Sequence, residues 1–90
     1  MDFNQKVEFP DTVFAQEVDG EMVLLDMVSE NYFGLDAVAS DIWQLLQEDK
    51  TLQESHDALL EMYDVSADQL RSDLESFVNK LVESKLASLT

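Results

Sequence analysis

Residues 13–35, which read VFAQEVDGEMVLLDMVSENYFGL, carry the strongest local signal in the chain. Apolar and polar residues alternate on both sides of Asp19-Gly20. An Asp-Gly pair between two such runs supplies the positive φ angles that a tight hairpin turn requires. The pattern therefore predicts an antiparallel hairpin with one strand over Val13–Val18 and the other over residues 21–28.

The end of this stretch predicts a third strand. Residues 29–31 form a second turn signal, and the aromatic segment at residues 31–35 follows it directly. Alternation with a period of two places Phe33 and Leu35 toward the core and Tyr32 at the surface. Short loops join neighbouring strands antiparallel, so we predict a three-stranded meander. Its last strand has an unpaired edge, which is a template for a partner strand.

From Asp36 onward the apolar spacing becomes helical, and three helices are predicted. Asp36 is a candidate N-cap for the first helix, and residues 51–54 form a capping-box sequence that begins the second. The third helix follows a similar signature at residues 66–69 and extends to about residue 85. Its apolar arc covers roughly 140°, which is wider than the ~100° stripe that core packing needs. The predicted fold class is α+β and winged-helix-turn-helix-like, with a three-stranded antiparallel sheet followed by three helices.

Length and charge restrict the classes of partner. The 90 residues predict one domain, with residues 1–12 as an extended N-terminal lead-in. Five Lys and Arg stand against 20 Asp and Glu, which gives a formal net charge of −15. Phosphate contacts dominate nucleic-acid affinity, so we expect no nucleic-acid partner, although a winged helix suits DNA. We also expect no membrane partner and a cytoplasmic location, because the sequence shows no long apolar run and no export signal.

Few residues in this sequence are candidates for catalysis or for metal binding. There is no Cys, His56 is the single His, and the two Gly do not form a phosphate-binding loop. The serines lack the G-x-S-x-G context of an activated nucleophile, and solvated surface positions account most simply for the carboxylates. We therefore expect no enzymatic activity, no bound metal and no cofactor.

An ordered series of segments resembles the PqqD-like family, which includes the recognition elements for ribosomally synthesised and post-translationally modified peptides (RiPPs). The segments are VLLD at residues 23–26, NYFGLD at 31–36, IWQLL at 42–46, TL at 51–52, AL at 58–59, YDV at 63–65, and the spaced residues Asp73, Phe77, Leu81 and Leu86. The stand-alone leader-peptide-binding proteins of lasso-peptide clusters look most similar, and the resemblance covers about residues 13–89. Lys85 stands where Gly is common in such proteins.

The resemblance implies a non-catalytic protein that binds the leader segment of a precursor peptide by β-strand addition. The leader would lie between the third strand and the third helix and be presented to a separate leader peptidase or other maturation enzyme. Carried over by position, the expected peptide-binding residues are Asn31, Tyr32, Phe33, Gly34, Leu35, Leu70, Arg71, Asp73, Leu74, Phe77, Val78 and Leu81. Two alternatives stay open: a PqqD-type peptide chaperone in pyrroloquinoline quinone biosynthesis, and an acidic winged-helix module for protein–protein interaction.

Overall fold

The computed structural model describes residues 2–90 and contains five strands and three helices. No helix in this part of the chain is long and apolar enough to cross a membrane. In chain order the elements are β1 (Val7–Glu8), β2 (Val13–Val18), β3 (Glu21–Asp26), β4 (Tyr32–Leu35), α1 (Ala37–Leu46), α2 (Leu52–Met62), α3 (Ala67–Glu83) and β5 (Ser88–Leu89). The predicted sheet followed by three helices is confirmed.

Strands β2, β3 and β4 form an antiparallel meander in that order. Asp19 and Gly20 connect β2 to β3 with φ angles of 52° and 84°, and Val18 pairs with Glu21 directly across the turn. Positive φ at both loop residues is the geometry whose twist matches that of the flanking strands. The hairpin predicted from the Asp-Gly pair is confirmed.

Strand β3 ends at Asp26, two residues before the predicted end. The Asp26 carboxylate accepts hydrogen bonds from the Val28 backbone N–H at 3.0 Å and from the Ser29 hydroxyl at 2.8 Å. The Asp26 N–H donates to the Asn31 carbonyl at 2.9 Å. The bonds from Val28 and Ser29 hold the pKa of Asp26 below its ordinary value. These contacts turn the chain sharply, and so they position the start of β4.

Each helix begins at the N-cap residue that the sequence predicts. Asp36, Thr51 and Ser66 each accept a hydrogen bond from the backbone N–H three residues further along. The Thr51 N–H also donates to the Glu54 carboxylate at 2.9 Å, which completes a capping box. At Ser66 the same box was predicted with Gln69, but the structure shows only the Ser66 half of it, and the Gln69 side-chain Nε2 donates to the Asp73 carboxylate at 2.9 Å.

Helix α3 ends at Glu83 and is followed by a residue in the left-handed conformation. Lys85 has a φ of 61°, its N–H donates to the Val82 carbonyl at 3.0 Å, and the Leu86 N–H donates to the Leu81 carbonyl at 2.9 Å. Gly is favoured at this position because it has no Cβ. Lys85 therefore ends the helix as Gly would, but with a strained backbone.

The buried apolar side chains form one cluster beneath the inner face of the sheet and between the helices. Residues 2–12 contribute to this cluster, since Phe3 and Val7 are only 4% and 6% exposed. Strand β1 pairs antiparallel with β5, so Val7 lies opposite Leu89. The sequence predicted only an extended lead-in here, because a two-residue strand is too short to show a period.

Candidate functional site

Strand β4 is an edge strand of the meander, and helix α3 runs beside it in the opposite direction. The rings of Phe33 on β4 and Phe77 on α3 meet edge to face, with centroids 5.9 Å apart. At the other end of the strand, Asn31 Nδ2 donates to the Ser84 carbonyl at 3.2 Å. These two contacts hold β4 beside the C-terminal half of α3.

Two adjoining concavities, of about 280 and 400 Å³, lie along this border, and together we call them the β4–α3 groove. The first is lined by the aromatic pair and mostly polar neighbours: Phe33, Gly34, Asp36, Ala39, Asp73, Ser76, Phe77 and Lys80. The second lies at the C-terminal end of α3 and is lined by Asn31, Tyr32, Glu83, Ser84 and Lys85. A further concavity of about 470 Å³, between residues 7–11 and the end of α1, lies outside the groove.

The register of β3 and β4 determines which backbone groups of β4 point away from the sheet. The Asn31 carbonyl accepts the Asp26 N–H, so this pair is hydrogen-bonded across the two strands. In an antiparallel pair, bonded residues alternate with residues whose N–H and C=O point to the opposite side. The backbone N–H and C=O groups of Phe33 therefore form hydrogen bonds with β3. Those of Tyr32 and Gly34 point to the free edge of the sheet.

Gly34 is not required by the fold of the chain itself. A Cβ built there would have no heavy atom within 4 Å, and its φ lies outside the left-handed region. Glycine within a strand often marks a place where another backbone approaches closely. At Gly34 the missing side chain leaves room for another chain to approach β4 closely.

The structure brings part of the predicted site together in the groove. The predicted residues that line it are Asn31, Tyr32, Phe33, Gly34, Asp73 and Phe77. The other apolar residues are at most 5% exposed and belong to the core, namely Leu35, Leu70, Leu74, Val78 and Leu81. The wide apolar arc of α3 is used for packing against both α2 and β5. Its buried leucines therefore do not reach the groove surface.

Arg71 was also predicted to contact the peptide, but the structure places it outside the groove. Its guanidinium carbon lies 3.8 Å from the centroid of the Phe3 ring, and its Nε lies 3.6 Å from a Glu75 carboxylate oxygen. A guanidinium above an aromatic face is held by the negative potential of the ring. Arg71 therefore fastens the N-terminal segment onto α3.

Sequence reasoning identified Asp73 but missed the two lysines at the rim of the groove, Lys80 and Lys85. Lys80 follows Phe77 by three positions and Asp73 by seven, so all three share one helical face. That spacing could have identified Lys80 from the sequence. Lys85 could not have been identified in this way, because its place in the groove depends on the left-handed turn after the helix.

Two further shifted pKa values arise from structural hydrogen bonds away from the groove. The backbone N–H and hydroxyl of Thr51 hold the pKa of Glu54 below its ordinary value in the capping box. The bond from the Tyr63 hydroxyl to the Asp41 carboxylate raises the pKa of Tyr63 and links the end of α2 to α1. Both groups contribute to the fold.

The chemical groups in the groove suit binding. The single histidine, His56, is buried with Nε2 3.0 Å from the Ala67 carbonyl, outside the groove. Within residues 2–90, no three His, Asp or Glu side chains come close enough together to hold a metal ion. The groove instead combines free strand-edge backbone groups with an aromatic floor and a charged rim.

Comparison with known protein families shows to which family the chain belongs. The family described as coenzyme PQQ synthesis protein D (PqqD) matches residues 21–87, from the first residue of β3 to just beyond α3. The chain belongs to the PqqD family. Both elements of the groove lie inside the matched region. No curated protein sequence gives a significant match to the chain.

Two solved structures share this PqqD-family fold over nearly the whole chain. TbiB1, in complex with the TbiA(β) leader peptide, is 38% identical, with 90% of this chain and 94% of that chain covered and a TM-score of 0.81. A lasso peptide synthetase B1, complexed with the leader peptide, is 25% identical, with 92% of this chain and 98% of that chain covered and a TM-score of 0.82. Both similar proteins are therefore known in complexes with leader peptides.

Proposed function

We propose that this PqqD-family protein is a RiPP recognition element of the lasso-peptide type, which binds the leader segment of a precursor peptide. The leader adds to the sheet as a strand beside β4. The observation that carries this proposal is the free edge at Tyr32 and Gly34, directly beside the aromatic floor of Phe33 and Phe77. In strand addition, main-chain bonds supply affinity, and pockets for alternate side chains supply specificity.

The comparisons support this assignment from a second direction. The two similar structures are leader-peptide complexes, and one of them shares 38% of its aligned residues with this chain. A leader in the β4–α3 groove would meet donors and acceptors spaced at alternate residues of β4. Of the expected binding residues, we assign direct contact to Asn31, Tyr32, Phe33, Gly34, Asp73 and Phe77.

We further propose that the protein has no catalytic role of its own. It would act as one domain over residues 1–90, holding the precursor and presenting it to a separate leader peptidase or other maturation enzyme. Tethering of this kind raises the effective concentration of the precursor at the enzyme without any chemistry in the tether. Mass spectrometry of precursor incubated with this protein alone should therefore show no change in mass.

A titration with the leader peptide, followed by calorimetry and by backbone amide NMR shifts, tests the site. A precursor gene found beside the gene for this protein would supply the leader. We expect the shifts to cluster over residues 31–35 and at the groove-facing positions of α3, which include Asp73, Phe77 and Lys80. Shifts centred on the Asp19-Gly20 hairpin or on α2 would show that the peptide binds elsewhere.

The family match favours a second candidate, because its description names synthesis of coenzyme PQQ. A PqqD-type chaperone would bind the precursor of pyrroloquinoline quinone through the same groove. A parallel titration with that precursor separates the two functions, since only one of the peptides should bind tightly. A neighbouring leader peptidase and cyclase would support the lasso-peptide assignment.

A further inference from the structure

The basic residues of this acidic chain differ in whether they contact a carboxylate. In the structure of residues 2–90, Lys80 and Lys85 have no carboxylate within 4.0 Å, and both line the β4–α3 groove. The other three basic residues each contact a carboxylate outside the groove: Lys6 with Asp49 at 3.0 Å, Lys50 with Glu48 at 3.8 Å, and Arg71 with Glu75 at 3.6 Å. Both unpaired lysines therefore border the proposed peptide site.

Charge is also distributed unequally along the groove. Asp36, Asp73 and Lys80 line the first concavity, where Lys80 lies about two helical turns nearer than Asp73 to the C-terminus of α3, and Lys85 and Glu83 line the second. Counted along α3, the part of the groove beyond Phe77 carries two lysines, Lys80 and Lys85, against one carboxylate, Glu83. Asp73 and Lys80 are seven residues apart on α3, which corresponds to about 10 Å of helix. The Phe33–Phe77 pair lies between the two ends.

The backbone at Lys85 gives a second reason to assign a role to this side chain. Its φ of 61° is a conformation that Gly adopts without steric strain and that a residue with a Cβ adopts at a cost. Strain retained at a residue that lines a site is a pointer to function. The Lys85 side chain lines the groove, so its charge is the feature that Gly could not supply.

We propose that the groove recognises the charge pattern of the leader and thereby fixes the direction in which it lies along β4. An acidic side chain lies at the Lys80–Lys85 end, a basic one at the Asp36–Asp73 end, and an apolar one over Phe33 and Phe77. Alternate residues of a strand face the same side at about 3.3 Å per residue, so the acid and the base are four residues apart, about 13 Å. A reversed peptide would place like charges together.

This inference rests on the proposed function and concerns the same site. The net charge of −15 attracts basic peptides generally, but that long-range field acts on the association rate and does not choose a register. The two lysines act at contact distance. Their effect should therefore depend on one acidic position of the leader, while the long-range attraction depends on the net charge of the leader.

The test uses the wild-type chain and two double variants with equal net charge. Lys80→Gln/Lys85→Gln removes the basic end of the groove, and Lys6→Gln/Lys50→Gln removes two lysines outside it. The probes are the synthetic leader and variants in which each acidic residue is changed in turn to Gln. We expect the groove variant to bind the leader about five-fold more weakly, and the control variant within about two-fold of wild type. Lys85→Gly in place of Lys85→Gln repeats the measurement without backbone strain.

The decisive result is a coupling between the two partners. One acidic leader residue should matter to the wild-type protein and the control variant, and should no longer matter to the groove variant. Changing that residue to Lys should restore binding to Lys80→Glu/Lys85→Glu. If every acidic replacement has the same effect on all variants, this inference is wrong and leader binding still stands. If the wild-type chain binds no leader at all, the proposed function fails together with this inference.

Discussion

Phe33 and Phe77 meet edge to face at a 70° interplanar angle, and this contact joins the edge strand β4 to helix α3 beneath the groove. Both rings are only half-buried, so part of each remains available to another side chain. Edge-to-face aromatic pairs contribute about 0.5–1.5 kcal/mol beyond the area that they bury. The floor of the groove therefore belongs both to the fold and to the binding surface.

Phe77→Ala tests whether the aromatic floor of the groove binds the leader. Leu74→Ala, one helical turn earlier in the core, is the comparison. Removing the half-buried Phe77 ring should lower the free energy of unfolding by about 1–2 kcal/mol, and leader affinity should fall about ten-fold or more. Leu74 is 0% exposed. Leu74→Ala should therefore cost about 2–5 kcal/mol of stability and leave the affinity of the folded fraction unchanged. Urea unfolding and calorimetry measure the two effects, and equal losses of affinity would contradict this division.

Tyr32→Pro tests strand addition directly. The N–H of Tyr32 points to the free edge of β4, so its loss removes no bond of the folded sheet but deletes one donor for an added strand. We expect leader binding to weaken about ten-fold or more, with a change in stability below about 1 kcal/mol. Tyr32→Ala keeps the N–H and is the matched control. Similar affinities for the Pro and Ala variants would exclude main-chain pairing at this residue.

The parts of the fold that the sequence predicted are those set by local chemistry. Asp19-Gly20 specifies its turn through two positive φ angles, and Asp36, Thr51 and Ser66 cap helices through bonds three residues away. None of these features depends on distant parts of the chain. For the same reason the free edge of β4 could be predicted from the order of the strands alone.

The remaining features depend on contacts between distant residues and could not be predicted from spacing. Phe3 is buried because Arg71 covers it from α3, and β1 forms because β5 returns to it. The apolar arc of α3 was compatible with either a groove or extra packing. Only the tertiary structure shows that Leu74 lies in the core while Phe77, three residues later, reaches the groove.

The free energy of unfolding should vary with pH because of Asp26. In the folded protein the pKa of this carboxyl is lowered chiefly by hydrogen bonds from the Val28 N–H and the Ser29 hydroxyl. A lowered folded pKa stabilises the protein above the unfolded pKa, and this contribution is lost as pH falls through the folded value. Asp26→Asn should therefore be less stable than wild type at pH 7, and the difference should shrink as pH falls below the ordinary Asp value of 3.8. Urea unfolding at several pH values measures this. The control is Asp19→Asn, because Asn also suits the hairpin turn. If the stability difference between Asp26→Asn and wild type does not vary with pH, the Asp26 carboxylate is not its source.

Lys85→Gly should change stability and binding in opposite directions. Relief of the left-handed strain is worth about 1–2 kcal/mol, and the added freedom of Gly in the unfolded chain offsets about half of it. We therefore expect a net gain of about 0.5–1 kcal/mol in the free energy of unfolding, together with weaker leader binding. Lys85→Ala keeps the Cβ and the strain, so it should show the same loss of binding without the gain in stability. A Gly variant no more stable than the Ala variant would contradict the strained turn, whereas a stabilised Gly variant with unchanged affinity would show that the Lys85 side chain does not contact the leader.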